Sequence, residues 1–158
     1  MKCKVLNRTR IDIKECSLKD MSGGILSANI QLKVHQPPDP NWMVTFGVWK
    51  DMGGYKPFFY NVSFDFCGFL KNPNRLQIYY LFHKAILPFS NLNQSCPFLH
   101  DIVVKDFVLA DKMFTTIPIP KGRYMYNLLL ASNSFKAIDL RFYIYVDVRE
   151  TLRRKPSG

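Results

Sequence analysis

The pair His100-Asp101 has the residue types of a general base beside the carboxylate that orients it. Adjacent strand residues point to opposite faces of a sheet, so these two side chains cannot readily pair with each other. The other histidines, His35 and His83, are isolated in the sequence. The sequence also lacks a G-x-S-x-G elbow, a phosphate-cradling loop and a dinucleotide-binding fingerprint. We therefore predict no catalytic residue, no cofactor and no enzyme activity.

The four cysteines are even in number, and none forms the close C-x-x-C pair of zinc or thioredoxin-type sites. Three N-glycosylation sequons accompany them, at Asn7, Asn61 and Asn93. Together these features favour an oxidising, secretory route with two disulfides and no metal site. The predicted disulfide cysteines are Cys3, Cys16, Cys67 and Cys96.

The start of the chain, Met1-Lys2-Cys3-Lys4, is not followed by the apolar core of a signal peptide. On its own this argues for a cytosolic protein. Because the cysteines and sequons favour export, we interpret the chain as a mature secreted, extracellular form, or as one whose first exon is missing. No stretch approaches the roughly 20 apolar residues that cross a bilayer.

The net charge of +10 is spread along much of the chain. A scattered basic surface favours solubility and weak attraction to anionic partners, including peripheral contact with a membrane. Residues 121–126 interleave basic and aromatic side chains but lack the full pattern of an RNA-binding strand. A turn followed by a half-buried strand explains them better, so we predict no nucleic-acid partner.

Alternating apolar and polar residues predict most of the chain to be β-strand. In residues 58–66, for example, the aromatic positions claim one face and leave Asn61, Ser63 and Asp65 on the solvent side. Seven such runs separated by turn-rich pieces are typical of a sandwich or barrel. They cover residues 11–18, 26–34, 44–50, 58–66, 102–110, 124–131 and 138–149.

Residues 74–89 break this rhythm. Tyr79, Phe82, His83 and Ile86 recur at spacings of three and four, which predicts one short amphipathic helix ended by Pro88. In a β-sandwich, the apolar side of such a helix is buried only if the helix packs over an edge of a sheet or over an opening between the sheets. The helix is therefore either a gate for a ligand or a static connection between strands.

The chain contains 13 Phe and 8 Tyr, and large rings on many strands can hold two sheets apart around a pocket. Simple filling of the core is the alternative. If a cavity is present, we expect ligand-binding residues on the inner faces of the strands. They are Phe46, Phe58, Tyr60, Val62, Phe64, Tyr124, Phe142 and Ile144.

Residues 53–67 resemble the first signature of a large insect family of small secreted proteins, known mainly as a domain of unknown function. Residues 90–102 and 118–126 resemble its second and third signatures, in the expected order. That family is similar to the ML lipid-recognition superfamily, which includes the ganglioside activator and the Niemann-Pick type C sterol-binding proteins. The resemblance implies export, an immunoglobulin-like sandwich whose sheets admit acyl chains or sterols, and a carrier role that extends to chemosensory organs.

Four cysteines permit three connectivities. The resemblance implies Cys67–Cys96, because two of the family's signatures contain these cysteines. Both this pair and Cys3–Cys16 also join cysteines that are neighbours in sequence, so we predict these two disulfides.

We expect one domain over residues 1–152 with a flexible tail at 153–158. Its fold is all-β, an ML-like, immunoglobulin-like antiparallel β-sandwich of about seven strands with one short helix. The expected partner is a lipid, sterol or other hydrophobic small molecule, with a cell-surface receptor as a further partner. The alternative is an extracellular protein-interaction module with a packed core and no ligand. An apolar cavity of roughly 300 Å³ or more would favour the carrier.

Overall fold

The structure is a computed structural model that describes residues 1–22, 25–35, 40–108, 120–132 and 135–146. Within these ranges the chain forms two antiparallel sheets that face each other, so the prediction of an all-β sandwich is confirmed. The elements are, in chain order, β1 (Lys2–Val5), β2 (Ile11–Ser22), β3 (Ile25–Val34), β4 (Met43–Asp51), β5 (Tyr55–Asp65), α1 (Phe66–Lys71), α2 (Ile78–Ile86), a 3₁₀ turn (Leu87–Phe89), β6 (Ile102–Val108), β7 (Gly122–Ala131) and β8 (Lys136–Val146).

One sheet has five strands in the order β1-β8-β7-β4-β5, and the other has three in the order β2-β3-β6. The alternation in β8 sets its orientation, since Ile138 and Phe142 are buried while Arg141 and Tyr143 are exposed. In β5, Asn61 is exposed as the alternation predicts. The inner faces of the two sheets therefore build one continuous apolar core.

Helix α2 covers the part of the five-stranded sheet that the smaller sheet does not reach. The ring of Phe46 on β4 lies 5.7 Å from the rings of both Tyr79 and Phe82. Phe64 on β5 lies 5.0 Å from Tyr79. Phe82 also reaches across to Phe107 on β6, at 6.2 Å. The helix therefore closes the side of the sandwich between the edge strands β5 and β6.

Two disulfides tie the layers together. Cys3–Cys16 joins β1 to β2, which are edge strands of opposite sheets, with the Cα atoms 6.3 Å apart. Cys67–Cys96 joins α1 to the loop that follows the 3₁₀ turn, with the Cα atoms 5.5 Å apart. The predicted pairing is confirmed.

The structure corrects the predicted elements at several points. Strand β1 and helix α1 were not predicted, because four residues are too few for a recognisable alternation and Phe66 is buried as a strand or as a helix residue alike. Phe66 therefore begins α1 rather than ending β5. Pro88 lies inside the 3₁₀ turn, so α2 itself is shorter than predicted. The predicted strand ends at 109–110 and 147–149 and the tail at 153–158 lie outside the described residues.

We predict that Phe46→Ala will lower the free energy of unfolding by about 3–5 kcal/mol, since it leaves a cavity among rings that belong to both β4 and α2. Phe46 has no exposed surface. Urea denaturation measures the change. Leu76→Ala is the control, because Leu76 is 97% exposed and its truncation should change stability by less than about 0.5 kcal/mol. Equal stability of the two variants would show that α2 does not depend on this contact.

Candidate functional site

Helix α2 separates two spaces, one inside the sandwich and one at the surface. Tyr79, Phe82 and Ile86 are buried and face the interior, where they meet the two sheets. His83 and Lys84 belong to the side that faces the surface. This division follows from the helical spacing of three and four, which gathers the apolar residues on one stripe.

The interior space, called here the core cavity, lies between the sheets and has a volume of about 80 Å³. Side chains from five strands, both helices and the loop before β6 surround it, and none of those described is charged. Cavities with apolar walls offer water few hydrogen-bond partners. Its wall consists of Ile30, Leu32, Val44, Phe66, Tyr79, Phe82, Ile86, Leu92, Ile102, Val104, Leu128, Leu129, Leu130, Ile138, Leu140 and Phe142.

Of the eight residues predicted to bind ligand, Phe142 lies on the wall of the core cavity. Phe46 and Phe64 contact Tyr79, at ring distances of 5.7 and 5.0 Å, so they support a residue of the wall. Val62 and Ile144 are half-buried and pack against the core.

Phe58 and Tyr124 form a separate group near the start of β7. Their rings lie 5.7 Å apart, and the ammonium group of Lys50 lies 5.2 Å from the ring of Phe58. The hydroxyl of Tyr124 donates a hydrogen bond to the carbonyl oxygen of Pro120 at 2.5 Å. Neither Phe58 nor Tyr124 is among the described residues that line the core cavity. The side chain of Tyr60 lies outside the described part of the structure.

Sequence reasoning did not name the contribution of α2 to the cavity wall. The stripe of Tyr79, Phe82 and Ile86 was visible as a helical pattern, but a pattern does not show which surface the helix covers. No sequence pattern indicated Leu92 as a wall residue, because it lies in a loop without helical or strand periodicity.

A second space, called here the surface pocket, lies on the outer side of α2 and has a volume of about 480 Å³. Its wall contains both polar and apolar side chains, whereas the described wall of the core cavity is apolar. Leu92 lines both spaces and stands between them. The pocket is lined by Leu70, Pro73, Tyr80, His83, Lys84, Leu87, Leu92, Asn93, Gln94 and Ser95.

Tyr79 and His83 connect the two sides of α2 through a buried hydrogen bond. The hydroxyl of Tyr79 and Nδ1 of His83 form a hydrogen bond at 3.3 Å, in which the His83 tautomer decides which atom donates. Burial raises the pKa of Tyr79 far above its usual value and lowers the pKa of His83, because both charged forms lose contact with water.

The residues that suggested acid–base chemistry lie apart from this region. His100 is exposed, and the carboxylate of Asp101 accepts hydrogen bonds from Lys14 Nζ at 2.8 Å and Gln31 Nε2 at 3.0 Å. The hydrogen bond from Lys14 is the main cause that lowers the pKa of Asp101. Among the described residues, no group of three or more His, Cys, Asp or Glu side chains is placed to hold a metal ion. No helix in the described ranges is long and apolar enough to cross a membrane.

The three sequons differ in exposure. Asn61 and Asn93 are exposed, while Asn7 is half-buried and its Oδ1 accepts hydrogen bonds from the backbone N–H of Thr9 at 3.1 Å and from its hydroxyl at 2.5 Å. Glycosylation at these asparagines stays a prediction.

Comparison with known proteins gives one family. Residues 44–126, from the start of β4 to the middle of β7, match the model of a family described as a protein of unknown function, DUF1091. The matched range includes α1, α2, the surface pocket and Cys67–Cys96. A search of the curated proteins gives no match.

We predict that His83 makes the protein less stable in acid. Its pKa is lower in the folded chain than in the unfolded chain, so the unfolded state takes up more protons as the pH falls through about 6.5. The stabilisation is present above that pH and is lost below it. The free energy of unfolding should therefore fall between about pH 7.5 and 5.5 by more in the wild type than in His83→Gln. His100→Gln, at an exposed histidine, is the control and should keep the wild-type slope. The same slope in His83→Gln would contradict the prediction.

Proposed function

The chain belongs to the DUF1091 family, a family of unknown function, so its function must be inferred from its own site, and we propose that it binds and carries a lipid or other hydrophobic small molecule between its two sheets. The observation that carries the proposal is the core cavity, a space whose described lining is apolar and to which α2 contributes three side chains. Buried apolar sites of this type are the usual binding sites for apolar ligands.

The cavity of about 80 Å³ is below the roughly 300 Å³ that would favour the carrier over the interaction module, so its size alone does not distinguish them. A ligand of ordinary size must therefore enlarge it. Helix α2 is the part of the wall that can move at least cost. Side-chain packing holds it to the sheets, whereas each strand is held by a ladder of backbone hydrogen bonds. Outward movement of α2 would therefore widen the cavity without breaking a sheet.

Cys67–Cys96 anchors the connection that contains α2. The disulfide fixes α1 on one side of the helix and the loop before β6 on the other. The intervening residues could then shift while the sandwich stays intact. Secretion is part of the proposal, since two disulfides are compatible with an extracellular protein and the sequons would be used there.

The alternative, an extracellular protein-interaction module, is favoured by the outer face of the five-stranded sheet. Tyr145 is 59% exposed, and the rings of Tyr55 and Tyr143 lie 5.6 Å apart at the surface. The ammonium group of Lys2 lies 5.7 Å from the ring of Tyr143. Exposed tyrosines beside cations are common at protein–protein interfaces. A module of this kind needs no ligand in the core.

We predict that the disulfide-bonded protein will bind the neutral fluorescent probe 1-N-phenylnaphthylamine saturably. Val104→Phe should raise its Kd roughly tenfold, because the added ring fills the core cavity from β6. Val103→Phe is the matched control, since the neighbouring side chain points away from the core cavity, and it should bind as the wild type does. Absence of saturable binding by the wild type would contradict the carrier and favour the interaction module.

We also predict that bound probe will slow hydrogen exchange in α2. Without ligand, the amides of residues 78–86 should exchange faster than those of β4, which is paired on both edges. A ligand that fills the space under the helix should slow these amides and leave β4 unchanged. Unchanged protection in α2 would show that the helix is a static connection.

A further inference from the structure

Leu92 is a shared wall between the core cavity and the surface pocket. One space is uncharged and apolar, and the other is lined by polar side chains as well, so a molecule that passed Leu92 would have an apolar end inside and a polar end outside. We propose that the ligand is an anionic amphiphile, whose acidic headgroup binds in the surface pocket and whose chain extends past Leu92 into the core cavity. This inference rests on the proposed function and specifies its ligand class.

The charge of the surface pocket favours an anionic headgroup. Among the residues of the wall that the structure describes, Lys84 is the one with a formal charge and none is acidic. Lys84 is exposed, and it forms no ion pair within the described ranges. Its ammonium group is therefore available for a carboxylate or a phosphate at the mouth of the pocket.

His83 adds a second polar group on the same wall. The hydroxyl of Tyr79 is hydrogen-bonded to Nδ1, and Nε2, the other ring nitrogen, donates in the tautomer that carries its hydrogen there. Ser95 offers an exposed hydroxyl. Gln94 is held in place, since its Nε2 donates to the carbonyl oxygen of Asn91 at 2.8 Å. Polar groups thus line the same pocket as the apolar side chains of Leu87 and Leu92.

A wholly apolar ligand could not form hydrogen bonds with the polar groups of the surface pocket. Filling the surface pocket with hydrocarbon would remove water from Lys84 and from the imidazole of His83 without replacing its hydrogen bonds, which is unfavourable. An acidic headgroup replaces those hydrogen bonds and leaves the hydrocarbon to the core cavity. The two spaces therefore match the two ends of one amphiphile.

The test compares cis-parinaric acid with its methyl ester, which has the same chain and no charge, at about pH 7.5, where the acid is ionised. The wild type should bind the acid more tightly than the ester. Lys84→Gln should raise the Kd for the acid roughly fivefold and that for the ester less than about twofold. The control Lys33→Gln removes the same charge from an exposed position on β3 outside the surface pocket and should change neither.

The outcomes separate the two proposals. Equal Kd values for acid and ester in the wild type, or equal effects of Lys84→Gln on both, would overturn the headgroup site while leaving the carrier in place. Binding of neither lipid by the wild type would overturn the carrier and the headgroup site together.

The route past Leu92 has its own test in the rate of acid uptake. Leu92→Ala widens the passage and should speed uptake several-fold, whereas Leu18→Ala, at a side chain that is 42% exposed, should not. Leu92→Trp should slow uptake if the variant folds, as judged by circular dichroism. An uptake rate for Leu92→Ala equal to that of the wild type would overturn the route.

Discussion

The apolar stripe of α2 is packed against the uncovered part of the five-stranded sheet, and the rest of the architecture depends on this contact. Three strands cannot cover five, so the rings on β4 and β5 need a partner that the smaller sheet does not supply. Tyr79 and Phe82 provide it, and burial of each large side chain is worth about 1.5–3 kcal/mol. Because a helix is wider than a strand and presents its side chains at a different spacing, its fit to the sheets leaves the core cavity.

The two disulfides lie on opposite sides of the sandwich and have different consequences. Cys3–Cys16 connects edge strands of the two sheets and holds these two edges together. Cys67–Cys96 connects α1 to the loop before β6 and so fixes both flanks of the segment that includes α2. One bond constrains the distance between the layers, and the other limits where the covering helix can go. A sandwich braced in this way can change its interior at α2 without losing the relation between its sheets.

The two sides of helix α2 face different environments. Its inner residues meet hydrocarbon, and its outer residues meet a pocket with a cation and a neutral imidazole. The hydrogen bond between the Tyr79 hydroxyl and His83 Nδ1 joins a residue of the inner side to a residue of the pocket wall. Movement of the helix would change both spaces at once, which is the physical basis for treating them as parts of one site. The exposed tyrosines on the far sheet are independent of this arrangement and provide a surface for a different kind of contact.

The sequence by itself determined the sandwich, since alternation in β5 and β8 decides which side chains face inward and leaves Asn61 in solvent. It also determined that residues within 74–89 form a helix. Proximity in sequence indicated both disulfides, and the resemblance to a family supported Cys67–Cys96. It could not identify the wall of the cavity, because Phe46, Phe64 and Phe142 have the same pattern and only Phe142 reaches the space. Leu92 and Lys84 were not foreseen either, because a loop leucine and a helix lysine have no periodic signal that refers to a partner. Those positions were decided by the tertiary structure. The three-stranded sheet covers only part of the five-stranded sheet, so α2 packs on the uncovered part, and the core cavity lies beneath the helix.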